Sequence, residues 1–255
     1  MLIFNTDLDN TMIYSYKHDI GDDKICAEIY QGREISFVTS KTSQLIKEVN
    51  ETVLLVPTTT RTLEQYNRID LGIGIPKLAL VCNGGVLLEN GVENAEWYNE
   101  SLRLTESAHD QLLLTEKILE NDENRSFEIR NIRELFVFTK SEKPEESVEN
   151  LKEQLDTDKV DVFNNGVKVY VVPKMLSKGK AIDRLREKLN PELIISAGDS
   201  EFDITMLNSS DVPIAPKDLA DTANLPEKTI VVDEGIFSEK VLERVLQTAK
   251  YYSNN

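Results

Sequence analysis

Asp7 and Asp9 stand two residues apart just past the apolar run Leu2-Ile3-Phe4, within Asp7-Leu8-Asp9-Asn10-Thr11. Such a run reads as a buried strand. Two carboxylates at its end form a nucleophile and a proton donor for phosphoryl chemistry. In open α/β sheets, sites gather beyond the carboxyl ends of the strands. Two further polar clusters fall in that place. Pro57-Thr58-Thr59-Thr60-Arg61 follows the apolar residues 53–56, and Gly198-Asp199-Ser200-Glu201-Phe202-Asp203 follows residues 193–196. Ser177-Lys178-Gly179-Lys180 opens a helix and puts a lysine at its electropositive end, a poor place for an ammonium unless an anion is near. Structural roles compete for some of these residues. Asp9 and Asn10 suit a turn, and Ser200 with Asp203 makes a capping-box pattern.

The elements that must position these clusters follow from patterning. At both ends of the chain, strand-like runs alternate with amphipathic stretches, which predicts a parallel α/β sheet. Residues 26–30 and 35–39, either side of Gly32, predict a β-hairpin. Helices are predicted over 40–50 and 62–70, with a core strand over 53–56 and a third strand over 77–82 before the turn Asn83-Gly84-Gly85. Between 86 and 170 the character changes to strands at 86–88, 126–130, 135–139 and 167–172 and helices at 106–120 and 144–155. That stretch has the size of a compact α+β domain. Alternation then resumes with a helix at 178–189, a strand at 193–196 and a helix at 201–208. Strands at 212–215 and 229–232 and a closing helix at 238–252 complete it. The predicted organisation is a discontinuous core, residues 1–85 and 171–255, with residues 86–170 inserted.

Composition narrows the function. The 255 residues are 40% hydrophobic, enough for a substantial core, and carry a net charge of −16. That acidity argues against nucleic acid or an anionic membrane face as partner. A phosphate-ester substrate would have to overcome a repulsive field, which calls for a metal and well-placed cations. Cys26 and Cys82 show neither metal-ligand spacing nor a disulfide framework, and Cys82 reads as a buried strand thiol. With no signal-like amino terminus and no apolar run near the ~20 residues of a membrane span, the expectation is a soluble, cytoplasmic protein. His18 and His109 lack acidic or cysteine partners at ligand spacing, and Trp97 reads as packing.

These clusters, in this order, resemble the four motifs of the haloacid dehalogenase-like phosphatases, over nearly the whole chain. An insert between the second and third motifs, entered through Asn83-Gly84-Gly85, is similar to the branch holding the Cof-type sugar phosphatases, sucrose-phosphate and mannosyl-phosphoglycerate phosphatases and phosphomannomutases. The resemblance implies an α/β fold: a Rossmann-like parallel-sheet core, a β-hairpin flap at residues 26–39 and an inserted α+β cap domain. It implies that Asp7 becomes an aspartyl phosphate, that Asp9 serves as acid and then base, that Thr59 bonds the phosphoryl oxygens, and that Lys178 offsets charge. Mg²⁺ would be held by Asp7, the Asp9 carbonyl and Asp199, with Asp203 in a direct or supporting role. Thr60, Arg61, Asn83 and Gly84 are the candidate substrate-binding residues. Thr59-Thr60-Arg61 matches the family's Thr-Gly-Arg with Thr60 replacing glycine, and Phe202 stands where asparagine is usual.

The implied activity is Mg²⁺-dependent hydrolysis of a small phosphorylated metabolite, a sugar or polyol phosphate. A phosphosugar mutase is the alternative within the superfamily, and a non-catalytic phospho-acceptor module the alternative outside it. The second acid, Asp9, favours the enzyme, since a phospho-acceptor needs no leaving-group acid. Arg130, Arg133, Lys140 and Lys168 are candidate contacts for a second anionic group. The residues leave the oligomeric state open.

Overall fold

The computed structural model describes residues 1–253. They divide into two compact units, residues 1–94 with 177–253, and Ala95–Leu176. The first unit begins with β1 (Leu2–Thr6), β2 (Tyr14–Ser15), β3 (Lys24–Tyr30), β4 (Arg33–Thr39) and α1 (Ser40–Thr52). It continues through β5 (Leu54–Pro57), α2 (Leu63–Tyr66), β6 (Leu78–Val81), β7 (Val86–Glu89) and β8 (Val92–Glu93). The second unit holds α3 (Ala95–Thr105), α4 (His109–Glu120), β9 (Arg130–Ile132), β10 (Phe136–Lys140), α5 (Pro144–Gln154), β11 (Val160–Asn165) and β12 (Lys168–Pro173). The chain returns to the first unit with α6 (Lys178–Leu189), β13 (Leu193–Ala197), α7 (Ile204–Ser209), β14 (Val212–Pro216), α8 (Lys217–Thr222), β15 (Ile230–Val232) and α9 (Phe237–Ser253).

The heart of the first unit is a five-stranded parallel sheet in the order β15-β14-β13-β1-β5. Ile3, Phe4, Ile194 and Ile195 are fully buried. Continuous apolar runs of this kind are what a parallel sheet covered on both faces requires. Thr39 caps α1 by accepting from the Thr42 amide, and the buried Ile46 and Val49 turn that helix inward. α1 packs against α9, whose Val241, Leu242 and Val245 are also fully buried. The hairpin β3–β4, with β2 added along β4, forms a separate antiparallel sheet.

The chain departs from the sequence pattern around residues 77–88. The strand of residues 77–82 lies outside the parallel sheet: β6 joins β7 and β8 in an antiparallel sheet and meets the second-cluster loop through a Thr58–Leu80 bridge and the Thr59 amide, which bonds the Leu80 carbonyl. Residues 86–88, expected in the insert, therefore pair within the first unit. The cause is local, because Cys82, Asn83 and Gly84 all have positive φ and fold the chain back on itself.

The second unit is a four-stranded antiparallel sheet, β11-β12-β10-β9, with one face on α4 and α5. Val137, Val162, Val169 and Val171 interlock there with Leu112, Leu119, Val148 and Leu151. Helix α3 is absent from the sequence reading. Its buried stripe is Trp97, Ser101 and Thr105, so the face has helical spacing but lacks an apolar signal. The two hydroxyls bond back to the carbonyls of Trp97 and Ser101 at 3.0 Å each, which makes them acceptable inside.

Candidate active site

Register brings the clusters together. Thr6 lies opposite Ala197 on one side and Pro57 on the other. Asp7, Thr58 and Gly198 therefore leave the sheet side by side at the carboxyl ends of three adjacent strands. The Asp7 amide extends the ladder to the Ala197 carbonyl at 2.9 Å, and the Thr58 amide bonds the Thr6 carbonyl at 2.7 Å. Beyond β1 the chain turns sharply. The Leu8 carbonyl accepts from Met12 and Ile13, and Asn10 adopts a left-handed conformation (φ 59°). This turn sends Thr11 toward the third cluster, where its hydroxyl donates to Asp199 Oδ1 at 2.9 Å.

Lys178 is the first residue of α6, whose cap is the Ser177 side chain accepting from the Lys180 amide. Its side chain is 1% exposed. Its ammonium reaches Asp7 Oδ1 at 2.5 Å and Asp203 Oδ1 at 2.6 Å. The other oxygen of Asp203 accepts from the Asp199 and Ser200 amides and the Ser200 hydroxyl at 2.9–3.1 Å. The capping box and the contact with Lys178 are thus one arrangement, with both oxygens of Asp203 engaged. The backbone is drawn so close that a Cβ on Gly198 would stand 2.3 Å from Asp203 Cβ.

Ligand oxygens of Asp7, Asp199 and Asp203 lie within 4.8 Å of one another. Three carboxylates face one ammonium, and the imbalance has consequences. Burial pushes the Asp7 carboxyl well above its ordinary range, against the pull of Lys178 and with the help of Asp203, Asp199 and Asp9. Burial and the neighbouring Asp203 push Asp199 up to about 7, opposed by Thr11, Lys178 and Asn10. Burial would lower Lys178, but Asp203 and Asp7 overcome it and hold the ammonium above its ordinary value. Buried ionised groups are costly unless compensated, so the cluster suits a divalent cation. An oxygen-only donor set fits Mg²⁺ rather than a soft metal.

Asp9 stands apart from this cluster. Its side chain is 50% exposed, and its two oxygens accept from Nε and Nη2 of Arg61 at 2.8 and 2.6 Å. Thr59 is fully buried between β1 and β6: its amide bonds the Leu80 carbonyl at 2.8 Å, and its hydroxyl accepts from the Arg61 amide at 3.1 Å. Thr60, in the family's glycine position, is half-buried on the same loop. Asn83 is buried, and its amide bonds the Thr59 carbonyl at 3.0 Å. Gly84 (φ 86°) packs against α6, where a Cβ would stand 2.5 Å from that of Ala181. These two residues brace the second-cluster loop and the start of α6.

Thr11, Ser200 and Glu28 took no site role in the sequence reading. Thr11 lies within the first motif and Ser200 within the capping pattern, so both were visible without a function. Glu28 carried no signal, being one acid in a hairpin strand.

In the second unit, Arg130, Lys140 and Lys168 alternate with Phe138 and Tyr170 on the sheet face opposite α4 and α5. Phe138, Tyr170 and Phe163 stack in a row across three strands, with ring centroids 5.6 and 5.7 Å apart. Arg133 sits at the β9–β10 turn over the Tyr98 ring. His109 lines a cavity of about 280 Å³ with Arg103, Glu106 and Glu134. His18 is exposed. Among the described residues no helix is long and apolar enough to cross a membrane.

None of the curated proteins matches the chain. Solved structures do. They include the sucrose-phosphatase of Synechocystis sp. PCC6803, in complex with sucrose and phosphate, at 18% identity and TM-score 0.65 over 96% of this chain and 97% of that one. A trehalose-6-phosphate phosphatase related protein matches at 17% identity and TM-score 0.56, over 100% and 99% of the two chains. The IMP-nucleotidase of Plasmodium falciparum matches at 15% identity and TM-score 0.59, over 96% of this chain and 68% of its own. At such identities the likeness establishes the fold. Residues 89–224, which contain Lys178, Asp199 and Asp203, match the family model described as haloacid dehalogenase-like hydrolase. With more than half its length matched, the chain belongs to the haloacid dehalogenase-like hydrolases.

Proposed function

We propose that the protein is a Mg²⁺-dependent phosphatase that hydrolyses a small phosphate monoester through a phosphorylated Asp7. The observation that carries this is the buried cluster of Asp7, Asp199 and Asp203 around the single ammonium of Lys178. Asp7 and Asp199, with the Asp9 carbonyl, would hold Mg²⁺, while Asp203 orients Lys178 and the Asp199 loop. When bound, the ion would neutralise the cluster and the phosphoryl oxygens.

An Asp7 carboxylate oxygen forms a bond to phosphorus as the bond to the leaving oxygen breaks, and Asp9 gives that oxygen a proton. Asp9 then takes a proton from water, whose oxygen displaces Asp7 and releases inorganic phosphate. Splitting one displacement into two lowers each barrier. Lys178 holds Asp7 in place and offsets charge on the transferring group, and Thr59 would hydrogen-bond it. Work of this kind is mostly positioning and electrostatics. The exposure of Asp9 beside a buried Asp7 suits a proton donor that meets leaving groups of varied shape.

The sucrose- and trehalose-phosphate phosphatases among the matched structures support a phosphorylated sugar or polyol as substrate. The inserted unit is proposed to set specificity. A panel of phosphate esters assayed with and without Mg²⁺ tests both class and substrate. Phosphate release that needs Mg²⁺, needs no bisphosphate activator and disappears in Asp7→Asn is the expected result. Near wild-type release from Asp7→Asn would overturn the assignment of the nucleophile.

A further inference from the structure

We infer that Glu28, on the hairpin strand β3, is a positioning residue for Asp9, acting through Arg61. The inference rests on the reading of Asp9 as the leaving-group acid. Strand β3 shifts register against β4 on both sides of Glu28. Bulges of this kind re-aim a side chain and are common beside active sites. Here the effect is to bury a carboxylate on a strand whose neighbours Ile29 and Tyr30 are 57% and 44% exposed.

The Glu28 side chain is fully buried, and every oxygen contact is made by a donor. Oε2 accepts from the Ser36 hydroxyl at 2.9 Å and stands 3.0 Å from Arg61 Nη2. Oε1 accepts from Arg68 Nε at 3.0 Å, with Arg68 Nη2 also at 3.0 Å. Burial alone would raise this carboxyl, yet Arg61, Ser36 and Arg68 hold it below its ordinary range. Arg61 Nη2 is therefore shared between Glu28 and Asp9, while Nε completes a two-toothed grip on Asp9. A planar guanidinium anchored at one corner fixes what its other edge holds. Asp9 is half exposed, and Arg61 engages both of its carboxylate oxygens. Its direction is then set from the hairpin sheet.

The test separates positioning from general damage by leaving group. The step measured by kcat/KM ends when the leaving oxygen departs, so it needs the acid for an alkyl phosphate and hardly at all for 2,4-dinitrophenyl phosphate. Glu28→Gln is expected to lower kcat/KM for the alkyl ester by roughly 10- to 100-fold, the scale of a misplaced catalytic group, and for the dinitrophenyl ester by less than about threefold. An equal loss on both esters, or none on either, overturns the inference. Glu28→Asp, which keeps the charge and loses the reach to Arg61, should give the same pattern and decides the matter if Glu28→Gln does not fold. A wild-type protein that hydrolyses neither ester would instead refute the phosphatase reading, so the two failures are distinct.

Discussion

Replacing Lys178 by Met removes the ammonium that stands against Asp7 and Asp203, at 2.5 and 2.6 Å, while keeping a side chain of similar length. The Lys178 and Asp203 side chains are 1% and 0% exposed, so solvent does little to replace the lost charge. Breaking a buried ion pair by removing one partner costs about 3–5 kcal/mol. For a unit of this size each kcal/mol lowers Tm by about 2–4 °C, which gives a fall of roughly 6–20 °C. The sign with pH follows from the raised carboxyls. A group whose folded-state pKa is raised contributes stability that is full below its unfolded value and lost as pH rises through its folded value, about 7 for Asp199. Without Lys178 that loss deepens, so the deficit should be largest at pH 8 without Mg²⁺ and shrink toward pH 5. Thermal unfolding followed by circular dichroism at both pH values checks this. A variant within 2 °C or so of wild type at pH 8, or a deficit that grows toward pH 5, would refute the reasoning.

Gly198→Ala forces a methyl to within 2.3 Å of Asp203 Cβ, so overpacking should cost about 1–3 kcal/mol in denaturant unfolding and weaken Mg²⁺ binding as Asp203 is displaced. Mg²⁺ needs its carboxylates ionised, so with Asp199 near 7 its Kd should rise roughly 25-fold or more from pH 7.5 to 5.5. Calorimetry in buffers of different ionisation enthalpy should count the protons released, and a pH-independent Kd would count against the assignment.

The part of the fold legible in the sequence is the part where burial writes a pattern. Strands β1, β5 and β13 are covered on both faces and read as apolar runs, so the polar clusters at their ends could be placed before any geometry was known. Where buried faces are polar, the pattern fails: Ser101 and Thr105 hide α3 inside a stretch that reads as irregular. Val160-Asp161-Val162 is too short an alternation to mark β11 by itself. The boundary at 85/86 failed for a different reason. Three successive left-handed residues returned β7 to β6, and only Gly84 among them announces such a backbone. The grouping of Asp7, Lys178, Asp199 and Asp203 was legible by type and place. The Arg61–Glu28 contact was not, because a bulge that turns one carboxylate inward leaves no trace in alternation.

Titration of the metal-free protein with Mg²⁺ by isothermal calorimetry at pH 8, wild type beside Asp199→Asn, tests the central claim most directly. One ion per chain for wild type, and binding roughly tenfold weaker or worse for the variant, is predicted, since losing a ligand should cost at least what losing a supporting partner does. Absence of binding to the wild type, or identical titrations, would contradict the account.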